Sequence, residues 1–197
     1  MGGDDEKIRF SQQKEISARI RKENNISDND LLIVTGGKID SEKRIDVLMQ
    51  AVAEIDCDSI KLLVFGKANE KSKEQIESLA KDKHIRYIGW ITSDDVYNYF
   101  LAADLAVFPG THSVLWEQAC ACGVPCIFRD WEGMRHVDVG GNAILLHQCD
   151  KEELKNVLVD LHLNKEKLQK MKSVAVNEAI PAFSYRRIAQ MSVFEDQ

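Results

Sequence analysis

The sequence predicts a Rossmann-like α/β domain, a doubly wound parallel sheet with helices on both faces. Three observations predict it. Short apolar runs recur along the chain, each stops at a turn-forming or polar residue, and between them the apolar spacing becomes helical. Runs that are apolar throughout, without alternation, belong to strands buried on both faces, as in a parallel sheet covered by helices. At 197 residues the chain can bury a proper core.

Residues 1–30 carry a charged helical pattern around Ile16 and Ile20 and read as a lead-in segment. Met1-Gly2-Gly3-Asp4-Asp5 reads either as a linker or as an appended remnant. The sheet domain spans 31–164. Its expected strands are Leu31 to Thr35, ending at Gly36-Gly37, and Lys61 to Phe65, ending at Gly66. Ile85 to Ile88 ends at Gly89, and Leu105 to Phe108 ends at Pro109-Gly110. Pro125 to Phe128 and Ala143 to Leu146 complete the set. Apolar stripes mark the helices between them: Ile45, Leu48, Met49, Val52 and Ile55; then Ile76, Leu79 and Ala80. Further stripes are Val96, Tyr99, Phe100 and Ala103, then Leu154, Val157, Leu158 and Leu161. Residues 165–197 supply C-terminal helices, 165–179 and 184–194, broken at Pro181.

The most informative stretch is Ala103 to Pro125. A buried strand closes at Pro109-Gly110, Ser113 is a good helix N-cap, and Gly123 with Pro125 ends that helix. A helix N-terminus therefore opens at the carboxyl rim of the sheet, where open α/β sheets bind ligands and free N–H groups favour phosphate. Gly36 and Gly37 at the same rim let a ligand approach the backbone, and Lys38 and Lys43 suit a diphosphate. A solvated helix start accounts for Lys38, Lys43 and Arg44 equally well. His112 reads as a general base, a donor to phosphate or sugar oxygen, or a plain turn residue. Glu117, one turn into the helix, is placed to accept two ribose hydroxyls. Trp90 reads most simply as core or pocket wall, and its place just past Gly89 also suits proximity to a base; Asp104, at the opposite end of the sheet, reads as structural.

A net charge of −6 argues against a nucleic-acid partner. No apolar run approaches the ~18–20 residues of a spanning helix. Of five cysteines, Cys120, Cys122 and Cys126 cluster near Gly123 without paired-knuckle spacing, which favours buried thiols over zinc and a reducing, cytoplasmic setting. There is no Gly-x-Gly-x-x-Gly fingerprint and no P-loop.

In ordered series, Gly37-Lys38-Ile39 with Glu42-Lys43-Arg44, Tyr87-Ile88-Gly89-Trp90, Ala103-Asp104 through Pro109, Glu117 through Pro125, and Phe183-Ser184-Tyr185 resemble a known pattern. It is that of the C-terminal, donor-binding half of retaining glycosyltransferases with the GT-B fold, of the family 4 (group 1) type. The resemblance implies that Lys38 and Lys43, standing at the family's Arg and Lys, hold the donor diphosphate. It implies that Glu117 binds ribose, that backbone at Gly89 and Trp90 meets the base, and that Ser113, Val114 and Leu115 present N–H groups to phosphate. His112 stands as a third catalytic candidate. The family's first Glu has no counterpart, since Pro109 lies eight residues before Glu117. The implied partners are a UDP- or GDP-type nucleotide sugar and an N-terminal acceptor domain, with membrane contact through that domain. No metal or cofactor is implied. The implied reaction is sugar transfer to an acceptor hydroxyl with retention, in cell-surface polysaccharide or glycolipid synthesis, by an enzyme of which this half alone is inactive. Alternatives are a degenerate domain used as a nucleotide- or protein-binding module, or an epimerase or hydrolase on the same fold.

Overall fold

The computed structural model describes residues 1–194; residues 195–197 of the expected C-terminal helices lie outside them. Six strands form one sheet: β1 (Leu31–Ile39), β2 (Ile60–Ala68), β3 (Ile85–Gly89), β4 (Leu105–Phe108), β5 (Cys126–Arg129) and β6 (Ala143–Leu146). All pairings are parallel, in the order β3-β2-β1-β4-β5-β6. Strand order reverses between β1 and β4, and crevices at such reversals are where this architecture binds ligands.

Helices α1 (Gln13–Glu23), α4 (Ser93–Ala102) and α5 (Leu115–Ala121) pack with Leu32, Val34, Ala106 and Phe128 on one face. Helices α2 (Ile45–Ala53), α3 (Glu70–Leu79), α6 (Lys151–Leu163) and α7 (Lys165–Val174) pack with Leu31, Ile33, Leu105 and Ile127 on the other. Neighbouring residues of each strand thus enter opposite cores, which is why the strands are apolar throughout.

Two strands run past the glycines expected to end them. β1 and β2 stay in register through Gly37↔Gly66, Lys38↔Lys67 and Ile39↔Ala68. Gly37 and Gly66 adopt φ of +114° and +121°, and a Cβ on Gly66 would collide with the Gly37 carbonyl. The glycines let two backbones close on each other, so the ladder continues where a turn was expected. Gly36 is likewise packed under the Phe65 ring, so it serves the sheet and offers no approach to a ligand.

The ends of the chain join the domain. Gly3 N–H donates to the Phe183 carbonyl at 2.8 Å, and Tyr185 N–H donates to the Gly3 carbonyl at 3.1 Å. Pro181 does not break its helix as expected. A wide turn over Ala175–Ala179 precedes it, and helix continues as α8 (Ile180–Ala182). A proline lacks an N–H and crowds the preceding turn, and widening that turn accommodates both defects. The chain turns at Phe183-Ser184, before α9 (Tyr185–Phe194). Asp104 is structural: its carboxylate accepts from Arg21 at 2.7 Å and from Leu32 N–H at 2.8 Å. Cys120, Cys122 and Cys126 are buried, with Cys126 donating to the Val124 carbonyl at 3.2 Å. Burial pushes the Cys122 and Cys126 thiols well up, so they behave as small apolar side chains. Among the described residues no helix is long and apolar enough to cross a membrane.

Candidate functional site

At the carboxyl rim, a cleft of about 550 Å³ lies over the ends of β1, β2 and β3. Gly37, Lys38, Gly66, Lys67, Trp90 and Leu115 are among its walls, and apolar area predominates. Trp90 is 71% exposed, a large aromatic face left open to solvent. Gly89 just before it has φ +83° with open space around its Cβ position, so the chain turns sharply and leaves the backbone accessible. Lys38 extends outward and pairs with Asp40 at 3.0 Å. The Asp40 carboxyl, despite partial desolvation, is held below its ordinary range by Lys38 and by the N–H groups of Lys43 and Glu42.

Lys43 points elsewhere. Its ammonium donates to the Thr111 carbonyl at 2.9 Å, the Thr111 hydroxyl at 2.8 Å and the His112 carbonyl at 2.7 Å. Three donors meet three acceptors, so Lys43 bolts the loop after β4 to the loop after β1. Desolvation holds the Lys43 ammonium below its usual range. Thr111 N–H donates to the Glu42 carbonyl at 3.0 Å, and Trp131 donates to the Gly110 carbonyl at 3.2 Å. The short loop 110–113 is therefore tied at nearly every residue across the β1/β4 crevice.

Glu117 is fully buried. Its carboxylate accepts from His112 Nε2 at 2.9 and 3.1 Å and from His136 Nε2 at 3.2 Å. His112 also sits edge-on to Trp116, with ring centroids 5.2 Å apart. Ser113 does not cap the helix. α5 starts two residues later, at Leu115 after Val114, and its first turn carries no side-chain cap. The Ser113 carbonyl instead accepts from Trp116 N–H at 3.0 Å. With Lys43 bolting loop 110–113 and His112 held by Glu117, that loop is too tightly tied for the helix to begin at the serine.

Of the residues expected at the site, Gly37, Lys38, Trp90 and Leu115 line the cleft, with Gly89 adjoining it. Lys43, His112, Ser113, Val114 and Glu117 do not line it, so Lys38 alone of Lys38, Lys43 and Glu117 stands on its wall. Sequence reasoning missed His136 and Lys67. His136 lies in the 130–142 loop, whose charged and aromatic residues at the same rim were the available signal. Lys67 was hidden because the expected strand stopped at Phe65, three residues before β2 ends at Ala68.

The family model for glycosyl transferases group 1 matches residues 16–177. The chain belongs to that family. Among solved structures it is similar to HepE from Anabaena in complex with UDP and glucose, at 18% identity and a TM-score of 0.75. That match covers 92% of this chain and 51% of the other. Sucrose-phosphate synthase from Thermosynechococcus elongatus matches at 22% identity and a TM-score of 0.74, covering 91% and 48%. The C-terminal domain of a glycosyl transferase group 1 protein (LpcC) from Francisella tularensis matches at 16% and 0.66, covering 82% and 88%. The chain spans about half the length of the first two enzymes. Comparison with curated protein sequences returns no match.

One backbone position has a visible cost. Arg44 adopts φ +52° just before α2. A left-handed backbone costs a bulky L-residue about 1–2 kcal/mol. Arg44 partly offsets this by donating to the Gln148 carbonyl at 3.1 Å. Arg44→Ile is expected to lower stability by about 1–2 kcal/mol, because β-branching crowds that conformation further. Arg44→Gly is expected to hold stability level or raise it. Chemical denaturation checks both, and equal losses in the two variants would make the Gln148 bond, not the backbone, the deciding contribution.

Proposed function

We propose that this chain is the donor-binding half of a glycosyltransferase that moves a sugar, with retention, from a nucleoside diphosphate sugar to an acceptor hydroxyl. The observation that carries the reading is the cleft beside the β1/β4 reversal, where an open tryptophan face, an accessible glycine backbone and an outward lysine adjoin one apolar hollow. Trp90 offers a stacking surface for a base, and Lys38 offers a charge to the diphosphate. In the reaction the leaving diphosphate gains negative charge, and an ammonium fixed beside it lowers the barrier without a metal.

Lys43 acts through the loop it bolts, which leads into Leu115 on the cleft wall, and is a positioning residue. His112 guards Glu117, and ribose reaches that carboxylate once the imidazole swings aside. The acceptor comes from a second domain supplied by a longer protein, which also provides any membrane contact. Cell-surface polysaccharide or glycolipid synthesis is the proposed setting, in the cytoplasm.

Calorimetric titration of the 197-residue chain with uridine, guanosine and adenosine diphosphates tests the reading. One nucleoside diphosphate is expected to bind while sugar transfer by the chain alone stays at background. Binding of none overturns the donor-site assignment, and turnover by the chain alone overturns its assignment as a half.

A further inference from the structure

Lys67 follows Gly66 on β2 and is registered directly opposite Lys38 on β1. Registered residues on adjacent strands point to the same side, and both lysines line the same cleft. Two lysines on one wall concentrate positive charge at that edge of the cleft. Asp40 answers Lys38 at 3.0 Å, whereas Lys67 is exposed and has no ion-pair partner among the described residues. An exposed cation at the lip of a hollow lined by Phe65, Ile91 and Leu115 is placed to meet an anion in the cleft.

The accounting of charge at the rim points the same way. Lys43 has spent all three N–H donors on Thr111 and His112, so it has none to offer a ligand without releasing the loop. Lys38 and Lys67 are the cations on the cleft wall itself. Asn69 stands two residues on, its side chain occupied in accepting from Ser72 N–H at 2.8 Å. The start of α3 is therefore pinned and Lys67 projects from a rigid strand end.

We propose that Lys67 is a binding residue for the donor diphosphate, taking with Lys38 the direct phosphate contact that Lys43 has given over to holding the loop. This rests on the nucleotide-sugar reading above. It assigns the anion to the β1/β2 edge of the cleft, with Trp90 beside it for the base.

Calorimetric titration of the full 197-residue chain and its variants with UDP, UMP and uridine, and with the guanosine series, tests the assignment. Lys67→Ala is expected to weaken the diphosphate by about tenfold or more while leaving the nucleoside unchanged, as for one charge-assisted contact. Lys67→Arg, which keeps the charge, is expected to restore most of the affinity. Without ligand, Lys67→Ala is expected to melt at the wild-type temperature, since an exposed side chain without an ion pair is removed. That result separates a ligand contact from a structural role.

Undiminished UDP or GDP affinity in Lys67→Ala, with wild-type protein binding normally, overturns the role of Lys67 and leaves the donor site standing. Equal losses for nucleoside and diphosphate overturn it too, by making Lys67 part of the base pocket. Absence of any nucleotide binding by wild-type protein overturns the donor-site reading itself.

Discussion

Gly66→Ala is expected to destabilise the domain by about 3 kcal/mol or more. Two penalties coincide there. A φ of +121° is one that side chains rarely adopt, and the added Cβ would lie against the Gly37 carbonyl, a backbone atom that cannot turn aside. Relief requires β1 and β2 to part at their carboxyl ends, beneath the cleft, so ligand affinity falls together with stability. Gly133→Ala is the control. Gly133 has φ +81° with nothing within 4 Å of the Cβ position, so it carries only the conformational cost of about 1–2 kcal/mol. Urea midpoints for both variants make the comparison, and similar losses at the two sites would remove the close strand approach as the cause.

Glu117→Ala is expected to cost about 2–4 kcal/mol, because it opens a cavity and strips a shared acceptor from two histidines. The cost lies towards the lower end because His136 is half exposed and can turn to water. Glu117→Gln separates the roles of the carboxylate. It keeps the volume and one carbonyl acceptor, so stability falls by only about 1 kcal/mol. Nucleoside affinity is expected to fall about tenfold, since an amide cannot accept from two ribose hydroxyls as a carboxylate does. Denaturation midpoints and calorimetric affinities read the two effects. Wild-type affinity for uridine and guanosine in Glu117→Gln would confine Glu117 to anchoring His112 and the loop.

The strands illustrate how far local pattern reaches. Leu105 to Phe108 and Ala143 to Leu146 were legible to the residue because each is apolar throughout and flanked by turn formers. β1 and β2 were cut short because a glycine reads locally as a stop. Only the facing glycine on the next strand turns it into a continuation. Trp90 was legible as a cleft wall because it follows a turn glycine at the carboxyl rim. Lys43 and Lys38 looked alike in the sequence, five residues apart and equally charged. One lies against Thr111 and His112 while the other reaches solvent, and that difference comes from a loop almost seventy residues away.

By itself the sequence determined the order of strands and helices along the chain and the parallel sheet. These follow from the spacing of apolar residues and the backbone demands of glycine and proline, which act over a few residues. The family came from the resemblance of the ordered motif series. Tertiary structure alone decided that Glu117 is buried under two histidines, that Lys43 is a bolt, and that Lys38 and Lys67 face one cleft. Those outcomes depend on which distant groups meet and satisfy one another's hydrogen bonds, and strand register, set by packing across the whole sheet, decides who meets whom.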